Sequence, residues 1–194
     1  MAVMSRLFAS LALLALAGAV VLFALVAGSA TSGESVACRW LADIRPLLPW
    51  AALLVAAVTM AGSLYYSEVA GFTPCELCWY QRICAYPLVL LLAVSLVRRD
   101  SGVRPYVIAL AAVGLPISAY HSIVQWFPPE GGTSFCTPEA PCTTRWVFEF
   151  GFVTLPFMAF CAFTFVIASM VALGAGRTTP ERARGEKGRE EMAE

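Results

Sequence analysis

Charge is the scarcest property of this sequence. Asp, Glu, Lys and Arg make up 13% of its 194 residues, about half of the roughly 25% usual in a soluble domain. Apolar residues reach 59% and mean hydropathy is +0.74, so lipid rather than water is the solvent for most of the chain. The few cations are not spread over a surface. Arg98, Arg99 and Arg104 crowd one short stretch, and Arg177, Arg182, Arg184, Lys187 and Arg189 crowd the C-terminal end. No broad basic face is left, which removes nucleic acid as a partner class. There is no internal repeat, and His121 is the only histidine.

What the chain has instead is long apolar runs. Four fit membrane spans of about 20 residues, over Leu48–Tyr66, Leu77–Val97, Tyr106–Trp126 and Trp146–Leu173. A fifth, Leu7–Ala30, precedes them. Backbone groups in lipid must bond internally, so each run reads as a helix. The expected fold is an all-α integral membrane protein, a four-transmembrane-helix bundle with an additional N-terminal hydrophobic helix. Three units follow: residues 1–47 as the extra helix and an inner loop, 48–174 as the four-helix domain, and 175–194 as a charged, aromatic-free tail expected to be disordered.

The arginines set the orientation. By the positive-inside rule both the 98–105 loop "RRDSGVRP" and the C-terminal tail belong in the cytoplasm. An even number of spans separates them, as that placement requires. The loops 67–74 and 127–145 then face outward, with Trp126 and Trp146 at the outer interface. The first run, with Arg6 before it and "AGSA" at its end, has features of a signal peptide. Its apolar part is longer than the usual h-region, however, and the span at 48–66 must start inside to deliver Cys75 outside. An uncleaved helix with an outside N-terminus is the favoured reading, and "TSGESVACRWLADIRP" is then an inner loop.

Seven cysteines are present. Cys84 and Cys161 lie inside apolar helices, where cysteine is most often a small hydrophobe, and Cys38 falls on the reducing inner side. Two outward pairs remain, Cys75/Cys78 in a C-x-x-C and Cys136/Cys142 in an irregular loop. Such pairs are structural staples, a four-thiolate zinc site or a relay for electrons. A C-x-x-C bridge closes so small a loop that it stabilises little. A zinc site would leave Arg82 without a purpose.

The relay reading uses the neighbours. On a helix, Cys75, Cys78 and Arg82 follow one face, with Arg82 about 10 Å below Cys75. Intramembrane charges usually face a bundle interior and mark a pathway, and a nearby cation favours the nucleophilic thiolate. The alternative is an arginine that snorkels to the interface. His121 sits five residues before Trp126, about 7–8 Å below the same membrane face. A histidine so placed is either a packing residue or, with Arg82, a donor to the carbonyls of a lipid-soluble acceptor. A quinone meets that description, since it accepts the two electrons and two protons that a dithiol supplies.

"GSLYYSEVAGFTPCELCWYQRICAYPL", the "YH" of the next span, the short-spaced outer pair and "FGFVTLPFMAF" together resemble the disulfide bond formation protein B (DsbB) family, in its short-loop BdbC-like form. The resemblance covers roughly residues 48–172. It implies a membrane thiol:quinone oxidoreductase that reoxidises an extracytoplasmic thioredoxin-fold (DsbA-like) partner in a bacterial inner membrane, which is how such a route keeps a periplasm oxidising. Disulfide formation and folding of exported proteins would depend on it. Cys136 and Cys142 would form the outer disulfide, with Cys136 the site of attack. Electrons would pass to Cys75 and Cys78, and from Cys78 to ubiquinone or menaquinone in the membrane pool. Arg82 and His121 match the family's quinone-side residues. A vitamin K epoxide reductase-like relay shares this chemistry, but there the membrane C-x-x-C follows the loop pair. Residues 1–47 gain no role from the resemblance. The short outer loop also leaves open how the two cysteine pairs meet.

Overall fold

The computed structural model describes residues 2–31, 36–100, 102–129, 136 and 140–175. The expected disordered tail beyond 175 lies outside them. Among the described residues six α-helices follow one another: α1 Ala2–Thr31, α2 Val36–Ile44, α3 Leu48–Leu64, α4 Glu76–Arg98, α5 Arg104–Trp126 and α6 Leu155–Ala175. Five stretches are long and apolar enough to cross a membrane, α2 and α3 running together as one of them. The protein is therefore an all-helical membrane protein.

Proline and special backbone positions set the element ends. Pro46, Pro49, Pro105 and Pro156 stand in first turns, where a missing N–H costs nothing. Arg99, in the left-handed region at φ 52°, stops α4. Beyond Leu64, α3 widens into a π turn over Tyr65–Val69.

Two expectations change. The last span begins at Leu155 rather than Trp146. Residues 146–154 instead form a tight turned segment closed by a Glu149–Val153 pairing. Phe150 and Gly151 have φ of 51° and 77°, which no right-handed helix accommodates. The signal was in the pattern: Val147 and Val153 are buried while Phe148, Phe150 and Phe152 are exposed, a period of two rather than 3.6. The second change is α2, a short helix in the segment read as an inner loop, which buries Leu41 against the C-terminal half of α1 and the end of α6.

The main core lies between α3, α4, α5 and α6, around Leu88, Leu92, Phe163 and Met170. The ring of Phe163 occupies the place that a Cβ on Gly114 would take, so glycine there is what brings α5 onto α6. Cys84 and Cys161 are buried apolar groups, Cys84 within this core. Outside the four, α1 packs mainly along α6. Its N-terminal end is tied to the 146–154 segment, Ser5 donating to Glu149 at 2.6 Å and Arg6 pairing with the same carboxylate at 3.5 Å. The guanidinium of Arg104 lies against Gly174. The N-terminus thus shares one end of the bundle with the cysteine pairs, and the 98–104 arginines share the other with the end of α6.

Candidate functional site: two cysteine pairs and an apolar cavity

Cys75 caps α4 rather than lying within it: its φ and ψ are −76° and 171°, and its carbonyl accepts from the N–H of Trp79 at 3.1 Å. The cap still brings the pair together. The sulfurs of Cys75 and Cys78 are 3.0 Å apart, both as free cysteines.

The outer pair is bonded, Cys136 to Cys142. Cys142 is buried at 1% exposure, whereas Cys136 is half-buried. The end of α5 holds this segment down. Gln125 donates its amide to the Thr144 carbonyl at 3.0 Å. Arg145 donates back to the Gln125 carbonyl and lays its guanidinium over Trp126 at 4.7 Å. The consequence is contact between the pairs: Cys75 Sγ, Cys142 Sγ and a ring nitrogen of His121 lie within 4.8 Å of one another. The short loop reaches the membrane pair because α5 pins its C-terminal side against it.

His121 is almost fully buried. Its Nε2 is 3.2 Å from the Cys142 carbonyl, which only accepts, so Nε2 carries the proton. The Gln81 amide N–H donates to Nδ1 at 2.9 Å, so that nitrogen serves as the acceptor of the ring. The Nε2–H also faces Cys75 Sγ at 3.7 Å. The hydrogen bond from Cys78, followed by that from His121, lowers the Cys75 pKa to about 4 against the cost of burial. Cys75 is thus the thiolate of the pair.

Arg82 lies elsewhere. Its Nε and Nη2 donate to the hydroxyl and carbonyl of Ser63 on α3, each at 3.0 Å, and its guanidinium sits 5.2 Å from the Trp79 ring centre. Cys78, Gln81 and Arg82 line a cavity of about 580 Å³ between α1, α3, α4 and α6. The structure therefore brings Cys75, Cys78, Cys142 and His121 together, and groups Cys78 with Arg82 at the cavity. It does not put His121 beside Arg82, which the matched depth of the two residues had led us to expect. Gln81 links the two environments. Its spacing three residues after Cys78 was a readable signal of a shared face. Nothing in the sequence singled out Ser63.

Two of the four sulfurs are joined in a disulfide and offer no thiolate, so the donor set of a four-thiolate zinc site is not assembled.

Residues 45–175 match the sequence model of the family described as "Disulfide bond formation protein DsbB". The chain belongs to this family. Among curated proteins it is similar to "Disulfide bond formation protein C" of Bacillus subtilis, 44% identical over 66% of this chain and 94% of that protein. It is also similar to a "Probable disulfide formation protein" of Oceanobacillus iheyensis, 41% identical over 68% of this chain and 90% of the relative. No solved structure gives a significant match. As a DsbB-family member the chain is a multi-pass membrane protein with a role in disulfide bond formation, a disulfide-forming oxidoreductase. The family match leaves α1 and α2 outside it.

Proposed function

We propose that this DsbB-family chain is a membrane thiol:quinone oxidoreductase that reoxidises an extracytoplasmic thioredoxin-fold, DsbA-like partner. The observation that carries this reading is the juxtaposition of three sulfurs, Cys142 beside Cys75 and Cys75 beside Cys78, with Cys78 lining an apolar cavity. The cysteine end faces outward and the 98–104 arginines face the cytoplasm, in keeping with the positive-inside rule.

The exchange balances as follows. A partner thiolate attacks Cys136, the more accessible sulfur, and the second partner thiol resolves the mixed disulfide, leaving Cys136 and Cys142 reduced. Cys142 then attacks the Cys75–Cys78 disulfide at Cys75, and Cys78 leaves as a thiolate. Cys136 attacks Cys142, re-forms the outer disulfide and expels Cys75. The Nε2–H of His121, 3.7 Å from Cys75 Sγ, faces the sulfur that is expelled in this inward step. The two electrons now rest on the Cys75/Cys78 dithiol. Free Cys75 and Cys78 beside a closed Cys136–Cys142 bond are the cysteine states expected at this point.

The cavity suits a quinone, ubiquinone or menaquinone. Its lining is overwhelmingly apolar, and its few polar groups, among them Arg82, Gln81 and Ser63, stand near Cys78. A bound quinone would supply the sink for two electrons and two protons. Arg82, oriented by Ser63, would donate to a carbonyl oxygen. His121 acts on the sulfur side, holding its proton on Nε2 towards Cys75. The test is quinone reduction by membranes supplied with a reduced thioredoxin-fold partner. Cys78→Ser is expected to abolish it and Cys84→Ser to leave it intact; activity persisting in Cys78→Ser would refute the scheme.

A further inference from the structure

The cavity is not built by the family-matched region alone. Phe8, Leu11, Ala12, Leu14 and Ala15 of α1 form part of its wall, and every other lining residue lies within 45–175. α1 is held in that position along its length. Its first turns are tied to Glu149 through Ser5 and Arg6. The Phe8 ring sits over Gly62, 3.3 Å from where a Cβ would stand, and beside Tyr66 at 5.8 Å between ring centres. Further along, Gly18 receives Phe165 of α6, and Ala9 and Ala19 are fully buried.

The cavity is graded along this wall. Phe8 lies at the level of Gly62, next to the Ser63 that holds Arg82. From Phe8 to Ala15 the helix rises about 10 Å. Over that distance the facing residues become apolar, with Leu54 and Val55 on α3 and Phe165 on α6. Leu11 and Leu14, on the cavity wall, are themselves exposed, at 40% and 68%. A polar ring seated by Arg82 would thus have its hydrocarbon tail lying along α1.

Taking the cavity as the quinone site, we propose that α1 is its tail-selecting wall: the acceptor ring sits at the Cys78–Arg82 end and the isoprenoid tail runs over Ala12 and Ala15. An added side chain at Ala12 fills the tail path without touching the ring end, so the penalty falls on tailed quinones alone.

The experiment uses the full-length chain, with Trp146 on the cavity wall and Trp79 under Arg82 as intrinsic fluorescent probes. Quenching by a decyl-tailed quinone and by the same ring without a tail gives two Kd values. Ala12→Phe is expected to raise Kd for the tailed quinone about tenfold, roughly the loss of two buried methylenes, and to change the tailless value less than twofold. A quinone carrying a photoreactive group in its tail is expected to label the tryptic segment 7–39 of the unmutated protein, a readout independent of the variant's folding. Quenching that Ala12→Phe leaves unchanged for both quinones, or a tail label confined to α3 and α6, would overturn the role of α1 alone. No quenching of the unmutated chain by either quinone would overturn the acceptor reading together with it.

Discussion

Gln81 and Arg82 are adjacent in sequence and both reach the cavity wall, yet their polar groups bond in different directions from α4. The Gln81 side is closed: its amide, His121, Cys75 and Cys142 form one buried cluster joined by short polar contacts. The Arg82 side is open, with a guanidinium anchored to Ser63 at the edge of an apolar cavity. Consecutive helix residues point about 100° apart, so a single residue step turns the chain from one chemistry to the other. Thiol exchange needs sulfurs in near contact and shielded from water. Transfer to a lipid-borne acceptor needs room and an apolar path. Cys78 borders both, at 3.0 Å from Cys75 and on the cavity wall.

The largest expected effect comes from cutting the closed side. In Cys142→Ser no sulfur of the outer pair remains beside Cys75 to carry the exchange, so quinone reduction driven by a thioredoxin-fold partner should fall to background. A small dithiol such as dithiothreitol needs no outer pair to deliver its electrons, and quinone reduction driven by it should survive. Comparing the two donors in one preparation separates the sides. Equal loss with both would mean that Cys142 supports the cavity rather than the relay.

The five apolar spans and the grouping of four cysteines into two pairs were legible, because lipid permits few backbone solutions and the C-x-x-C spacing is specific; α2 and the start of α6 at Leu155 were not. Depth along a helix was legible too; azimuth between helices was not. His121 contacts Gln81, the neighbour of Arg82, so the two residues share a level of the bundle, but α5 turns His121 towards the sulfurs while Arg82 turns towards α3. That difference rests on how α4 and α5 are rotated about their axes, which no single-helix pattern encodes. The contact between the outer pair and Cys75 was hidden for a similar reason. It depends on Gln125 and Arg145 exchanging hydrogen bonds with each other's segments, a tertiary clasp between residues that look unremarkable in sequence. The late start of α6 was visible in the alternation of "WVFEFGFV" but masked by its hydrophobicity.

A smaller effect is expected from the open side. Arg82→Ala removes a charged donor, a contact worth about 1.5–3 kcal/mol, so the apparent quinone affinity should weaken roughly 10- to 100-fold. The alkylation of Cys75 as a function of pH should not move, since Arg82 bonds to Ser63 and not to Cys75. A shift in that profile comparable to the affinity loss would mean the two sides are one electrostatic unit.

The smallest effect tests the join. Gln81 donates to Nδ1 and so keeps the His121 proton on Nε2, towards Cys75. In Gln81→Leu that hold is lost, the imidazole is free to take the other tautomer, and Cys75 loses part of what lowers its pKa. The sign follows from the thiol's position: with its pKa near 4, Cys75 in the reduced pair is thiolate at pH 5 and above, and protonates as pH falls through that value. Raising the pKa moves the loss of reactivity to higher pH. A neutral hydrogen bond contributes about 0.5–1.5 kcal/mol, so the midpoint for iodoacetamide labelling of Cys75 should rise by up to about one unit. Labelling should therefore drop most near pH 4–5 and remain unchanged at pH 8. Gln81→Glu supplies an acceptor to Nδ1 instead, favours the doubly protonated ring and should move the midpoint down or leave it in place. Two variants shifting the midpoint in the same upward direction would show that Gln81 matters for packing and not for the tautomer, and the closed side would then owe its thiolate to Cys78 alone.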